Sequence, residues 1–131
     1  MNRTEPPADA DVLAHTVIGA ALEVHRTLGP GYLESVYEEA LGVELQLRGV
    51  AFKRQVPFGI QYKGHNVGEG RIDLLIADKL LVELKTVDVL APIHTAQVLS
   101  YLKATRLPLG LLLNFNVPVL KDGVKRVVLS A

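Results

Sequence analysis

Asp73, Glu83 and Lys85 are the residue types that phosphodiester chemistry needs, spaced so that two strands bring them together. They fall in two apolar runs, Arg71-Ile-Asp-Leu-Leu-Ile76 and Leu80-Leu-Val-Glu-Leu-Lys85, joined by Ala77-Asp78-Lys79. Alternation predicts a two-faced strand from each run. Ile72, Leu74 and Ile76 share one face of the first, and Leu80, Val82 and Leu84 share one face of the second. Asp73 is left on the other face of its strand, and Glu83 and Lys85 on the other face of theirs. Residues two apart on a strand project together, roughly 6.5 Å apart. A three-residue connection sets Asp73 opposite Glu83, with β-carbons about 5 Å apart. Carboxylates that close repel each other unless a cation sits between them. An ammonium beside them completes a set suited to metal-assisted attack on a phosphodiester. A solvated, salt-bridged hairpin face would carry the same residue types. Leu80-Leu81-Val82 argues against that face, because a strand apolar at every position is covered on both sides, where unpaired charge is costly.

Three further groups carry side chains that fit such chemistry. Glu34 and Tyr37 lie one helical turn apart and look out from the same side of a helix start. Glu34 would equally complement the helix dipole there, and Tyr37 would equally pack. Gln97 and Tyr101 are one turn apart on the helix after the Glu83 strand, with His94 one turn earlier. Gln97 would orient a water or a phosphate next to Lys85, or simply belong to a polar helix face. Arg71 shares a strand face with Asp73 and would hold a neighbouring phosphate or pair with a nearby acid.

Composition narrows the partners. The 131 residues predict one domain with one core, and 49% of them are apolar. Fourteen basic residues balance 14 acidic ones. That is not the basic footprint of a nonspecific nucleic-acid binder. If three acids hold metal, 11 acids remain against 14 bases, which permits a nucleic-acid partner. Tryptophan is absent, and tyrosine and phenylalanine total seven (4 and 3), so base stacking is not the expected mode of recognition. With no cysteine, disulfides and thiolate metal sites are excluded. No run is long enough to span a bilayer, and Met1-Asn-Arg-Thr-Glu-Pro-Pro lacks the apolar core of a signal peptide. The expected location is cytoplasmic, with no membrane partner.

The elements that must position these residues are legible as an order. Residues 1–8 are polar and Pro-rich and are expected to be mobile, with a single domain over 9–131. A helix spans about Asp9 to Thr27, with Leu13, Val17, Ala20 or Ala21, and Val24 on its apolar side and Asp9 or Asp11 as caps. Leu28-Gly-Pro-Gly31 ends it. A second helix runs from about Leu33 to Arg48, with Val36, Ala40, Leu41, Val43, Leu45 and Leu47 on or near the buried side and Gly49 as terminator. Phe52 to Tyr62 is one strand, bent at Pro57 or Gly59. Lys63-Gly-His-Asn66 is a hairpin turn. Strands follow over Val67–Ile76 and Leu80–Thr86. Pro92 starts a helix that ends near Ala104. Leu109–Phe115 is a strand buried on both faces, and Val124–Leu129 a more peripheral one. The order α-α-β-β-β-α-β-β predicts an α/β layered domain with a mixed sheet.

Gly31, Glu34 and Tyr37 spell the signature of the GxxExxY proteins, a branch of the PD-(D/E)XK nuclease superfamily. The chain resembles that family from about Val17 to Arg126, through Val24-His-Arg-Thr-Leu-Gly-Pro-Gly31, Arg71-Ile-Asp73, Val82-Glu-Leu-Lys85, Ala96-Gln-Val-Leu-Ser-Tyr-Leu-Lys103 and Gly110-Leu-Leu-Leu-Asn-Phe115. The resemblance implies a restriction-endonuclease-like core: helix, three antiparallel strands, helix, strand. It implies that Asp73 and Glu83 bind metal, that Lys85 stands beside the attacking water, and that Glu34 is the acid of the first core helix. Gln97 and Tyr101 match the helix motif after the lysine strand.

The expected activity is Mg²⁺- or Mn²⁺-dependent hydrolysis of DNA or RNA. Mg²⁺ prefers oxygen ligands and keeps several waters, so these carboxylates and the Leu84 carbonyl suffice. Tyr37, Tyr101 and Arg71 are the expected substrate contacts, with Gln97 beside the catalytic Lys85, Glu83 and Asp73. A homodimer would reach both strands of a duplex. Two rivals stay open: a catalytically silent scaffold that binds nucleic acid or protein, and a metal phosphohydrolase acting on a smaller substrate.

Overall fold

The computed structural model describes residues 7–129. Small side chains at three- and four-residue spacing, Ala10, Ala14, Val17, Ala20, Ala21 and Val24, form the buried face of α1 (Ala8–Leu28). Small residues let a helix lie close on what it covers. The mobile segment expected over 1–8 falls mostly outside the described residues, and Ala8 already opens the helix. Pro7 stands at the N-cap, so neither Asp9 nor Asp11 is the cap. Both lie in the first turn, where they pair with Lys79 at 2.8 Å and Arg126 at 2.5 Å. Those pairs tie the start of α1 to the β2–β3 turn and to the last strand.

The second helix, α2 (Glu34–Leu47), buries Tyr37, Glu38, Leu41, Gly42 and Leu45. Val36, Val43 and Leu47, expected on or near that side, are exposed. The helix has apolar residues on two sides, and only the row at 37, 41 and 45 meets the core. Tyr37 explains the Gly31-x-x-Glu-x-x-Tyr37 spacing. Its ring is fully buried and stacks on Phe115 with centroids 4.6 Å apart. Its hydroxyl donates to the Gly29 carbonyl at 2.6 Å and accepts the Tyr32 amide at 3.2 Å. One side chain thus locks the turn that delivers Glu34 as the first residue of α2. Gly31 has φ 110°, which an L side chain rarely adopts. Tyr37→Phe keeps the stack but strands both turn groups. It is expected to lower stability by about 1–2 kcal/mol in chemical denaturation. An unchanged midpoint would mean that water replaces the hydroxyl at no cost.

The strands β1 (Phe52–Tyr62), β2 (His65–Ile76), β3 (Leu80–Lys85), β4 (Leu109–Asn114) and β5 (Val124–Val128) form one sheet in sequence order. Neighbours are antiparallel except β3 and β4, which are parallel. A parallel pair needs a crossover, supplied here by α3 (Pro92–Thr105). The helix starts at Pro92, and the His94 ring nitrogen Nδ1 accepts the Ala91 amide at 2.9 Å. A short 3-10 turn over Leu120–Gly123, not foreseen in the sequence, precedes β5.

The sheet separates two apolar clusters. Leu74, Ile76, Leu80, Val82 and Leu84 join α1 and α2 in the larger one. Leu81, Leu112 and Val127 join Val98 and Leu102 of α3 in the other. Strand β4 is buried throughout, as its unbroken apolar run predicts. Gly110 lets α3 lie directly on it, because a β-carbon there would sit 2.7 Å from Val98.

One expectation about strand phase fails. Ile72 belongs to the α3-side cluster, while Leu74 and Ile76 belong to the other. The β1–β2 ladder pairs Arg54 with Leu74 and Val56 with Ile72, and skips Gln55 and Asp73 between them. Gln55 has φ 53°. The ribbon changes side at that rung. The irregularity of β1 is therefore at Gln55, where a rung is skipped without a change of register, with the one register shift between Ile60 and Gln61, and not at Pro57 or Gly59. Pro57 is tolerated because β1 is an edge strand. Among the described residues no helix is long and apolar enough to cross a membrane.

Candidate metal and phosphodiester site

The β2–β3 ladder runs from Ile76↔Leu80 to Leu74↔Val82 and stops one rung before Asp73 and Glu83. The open rung is closed by a side chain instead: Asp73 Oδ2 accepts the Leu84 amide at 2.9 Å. A buried amide that has lost its strand partner must find another acceptor. Asp73 is that acceptor, and the bond fixes its carboxylate against the peptide between Glu83 and Leu84.

Glu83 is only 4% exposed. Its Oε1 is buried with no hydrogen-bond partner among the described residues. Burial first, then the neighbouring Asp73 carboxyl, push its pKa up to about 10, opposed by a backbone amide at Asp73 and then by Lys85. Without a cation Glu83 therefore holds a proton at neutral pH. Glu34 is also raised, by burial first and then by the charges of Asp73 and Glu38, with Lys85 opposing. Three acids and one lysine, drawn from α2, β2 and β3, thus lie within electrostatic reach of one another.

Strand β4 supports the lysine. Lys85 lies opposite Asn114, and its carbonyl accepts the Phe115 amide at 3.0 Å. Asn114 is fully buried and holds Val87 from both ends, accepting its amide at 3.1 Å and donating to its carbonyl at 2.9 Å. The chain leaving Lys85 is pinned two residues on. His25, buried on α1, contacts the carbonyls of Phe115 at 3.2 Å and Val117 at 2.8 Å through Nε2, which fixes the far end of β4.

An oxygen-only donor set with a buried carboxylate atom left unpartnered fits a hard divalent cation. Asp73 and Glu83 would hold it, with Glu34 as the nearby third acid. The fit is to a pair rather than to a finished cage. Among the described residues no three acidic or histidine side chains stand together at metal-ligand spacing. Two cavities, of about 390 Å³ beside His25 and about 430 Å³ beside Pro92, include neither Asp73 nor Glu83. The acidic pair is thus outside both.

The other expected site residues have partners of their own. Tyr37, expected to touch substrate, is wholly buried and serves the turn before α2. Arg71, expected to hold a phosphate, has its guanidinium 3.9 Å from Glu69 on the exposed part of the hairpin. That is a surface pair of little energetic weight. Gln97 donates to the Tyr101 hydroxyl at 3.3 Å, and the Tyr101 ring meets Phe58 edge-on at 4.8 Å. Among the described residues no hydrogen bond or ion pair joins either to Asp73, Glu83 or Lys85.

The sequence reading missed Glu38, Arg54 and Gln55. Glu38 is nearly buried and accepts from Arg54 at 2.7 Å and 3.0 Å. Gln55 Nε2 donates to Glu38 Oε1 at 2.6 Å and to Asp73 Oδ1 at 3.4 Å. The Arg54 guanidinium is kept firmly protonated by the hydrogen bonds it donates to Glu39 and Glu38. Glu38 stands one turn after Glu34 on the same helix side, and that spacing was the available signal.

A family model for the PD-(D/E)XK nuclease superfamily matches residues 11–127. No curated protein matches the chain. The matched span contains α1 except its first three residues, α2, α3, the whole sheet except the final residue of β5, and every acid of the site. The five-stranded mixed sheet with helices on both faces has the restriction-endonuclease-like architecture. The chain belongs to the PD-(D/E)XK nuclease superfamily.

Proposed function

We propose that the chain hydrolyses nucleic-acid phosphodiester bonds with Mg²⁺ or Mn²⁺ held by Asp73 and Glu83, assisted by Glu34 and the Leu84 carbonyl. The observation that carries this reading is the unpartnered, buried Glu83 oxygen beside Asp73. A fold does not retain that cost without a use, and a cation removes it. When bound, the cation would acidify a water and neutralise charge on the phosphate.

The protein groups do the rest. Asp73 keeps its carboxylate oriented through the Leu84 amide. Lys85, at the end of β3, orients the attacking water and stabilises the phosphorane oxygens as charge builds on them. Its position is fixed by Asn114 and the Val87 clasp behind it. Glu34 arrives from the N-terminus of α2 and adds negative charge that favours cation capture. Gln97 and Tyr101 would contact substrate from α3, and Arg71 would do so once freed from Glu69. A cytoplasmic location and a homodimer acting on both strands of a duplex are part of the same proposal.

A second reading is compatible with the acidic pair being short of three ligands among the described residues: a nuclease-like scaffold that binds nucleic acid without cutting it. A third reading, a metal phosphohydrolase acting on a smaller substrate, would show cleavage of small phosphate esters alone. The deciding experiment incubates the protein with single- and double-stranded DNA and RNA in Mg²⁺ or Mn²⁺, against EDTA. Metal-dependent cleavage is the expected result. Retention of nucleic acid in gel shifts without cleavage in any metal would establish the scaffold instead.

A further inference from the structure

Among the described residues five non-glycine residues have positive φ: Gln55, Lys63, Ala77, Asp78 and Arg106. Four of them sit where chains turn: Lys63 in the β1–β2 hairpin, Ala77 and Asp78 between β2 and β3, and Arg106 at the end of α3. Gln55 alone lies inside a strand. Strand interiors do not need the left-handed region, and a residue with a β-carbon is strained there. The surroundings must therefore hold Gln55 in place.

The holding contact is Glu38. Its Oε1 accepts from Gln55 Nε2 at 2.6 Å, and its Oε2 is gripped by Arg54. Gln55 in turn reaches Asp73 Oδ1 at 3.4 Å, the long limit of a hydrogen bond. Asp73 Oδ2 is already committed to the Leu84 amide. Both oxygens of the site aspartate are thus oriented, one by β3 and one by β1. An extended residue at position 55 would restore the rung that the ladder skips and pair backbone to backbone. The left-handed backbone gives up that rung and turns a side-chain amide toward the carboxylate instead.

We propose that Gln55 is a positioning residue, braced by Glu38 in a left-handed conformation so that its amide fixes the Asp73 carboxylate for cation capture. This rests on the cation site argued above. It adds β1 and the middle of α2 to the elements that build that site. The relay Arg54–Glu38–Gln55–Asp73 connects an anchored ion pair to a metal ligand through one neutral amide. A neutral amide is the apt choice there. It donates to both carboxylates without adding a positive charge that would compete with the metal.

The test exploits the backbone. Gln55→Gly removes the amide but is conformationally at ease at φ 53°. Chemical denaturation without metal is expected to give a midpoint close to the parent's, the relieved backbone offsetting the lost contact to Glu38. Calorimetric titration with Mn²⁺ is expected to give a dissociation constant about tenfold higher than the parent's, the loss of one orienting hydrogen bond to a charged group. Gln55→Asn tolerates the same backbone with a shorter amide and is expected to fall between the two; it decides the question if the glycine variant does not fold. Variants that bind Mn²⁺ within twofold of the parent would overturn the positioning role while leaving the cation site intact. A parent that binds no Mn²⁺ would overturn both.

Discussion

In metal-free solution Glu83→Gln is expected to be more stable than the parent at neutral and alkaline pH. The advantage should grow by up to about 4 kcal/mol between pH 5 and pH 8, three pH units at about 1.4 kcal/mol each. The folded-state pKa of Glu83 is raised to about 10 from an ordinary 4.5, by burial first and by Asp73 second. Between those two values the unfolded chain has ionised Glu83 while the folded chain still holds its proton. The folded state then binds more protons, so the parent loses stability as pH rises through this window. Glutamine does not titrate, and it keeps the shape of the protonated acid beside Asp73. Relaxation around the site makes the figure an upper bound. Urea denaturation of both proteins in EDTA at several pH values checks it. Parallel stability curves would show that Glu83 ionises freely and that the site stores no unfavourable charge.

The second large effect is on rate. Lys85→Ala is expected to lower metal-dependent cleavage by about 10²- to 10³-fold, the usual cost of losing one donor to a developing oxyanion. Mn²⁺ binding should stay within a few-fold of the parent, because the amine is not a ligand. Asp73→Asn should do the converse. It keeps shape and the contact to the Leu84 amide but loses the charge, so metal affinity falls and cleavage follows it down. A lysine variant with normal cleavage would remove Lys85 from the chemistry. An asparagine variant with normal Mn²⁺ affinity would place the cation elsewhere.

The sequence was most legible where one rule acted alone. The apolar run of β4 and the alternation of β3 read directly as strands, and the order of elements read as a mixed sheet with helices packed on it. Opposition of Asp73 and Glu83 followed from a three-residue turn, and Ile76↔Leu80 bears that turn out. Legibility failed where two local irregularities combined. Counting back from the tight Lys63–Gly64 turn, the pair Tyr62↔His65 puts Gln55 opposite Ile72. The register shift between Ile60 and Gln61 moves it one residue on, opposite Asp73. A one-residue slip exchanges every partner and face, and nothing in Gly59-Ile-Gln-Tyr62 announces it. Hence Gln55 was missed, and Ile72 was assigned to the wrong side because the skipped rung at Gln55 and Asp73 lies between it and Leu74. The apolar residues of α2 failed differently. Val36, Val43 and Leu47 repeat at helical spacing as well as Tyr37, Leu41 and Leu45 do. Only the packing of Tyr37 on Phe115 chooses between the two rows. Tyr37 itself was visible as a motif residue, but its task, holding Gly29 and Tyr32 so that Glu34 begins the helix, needed the turn geometry.

Mn²⁺ titration calorimetry at pH 7, repeated in two buffers of different ionisation enthalpy, bears most directly on whether Asp73 and Glu83 form a cation site. One metal should bind with release of about one proton, tightening about tenfold per pH unit while Glu83 remains protonated in the free protein. Binding and proton release should both disappear in Asp73→Asn. Heats identical in the two buffers, or no saturable binding at millimolar Mn²⁺, would contradict it.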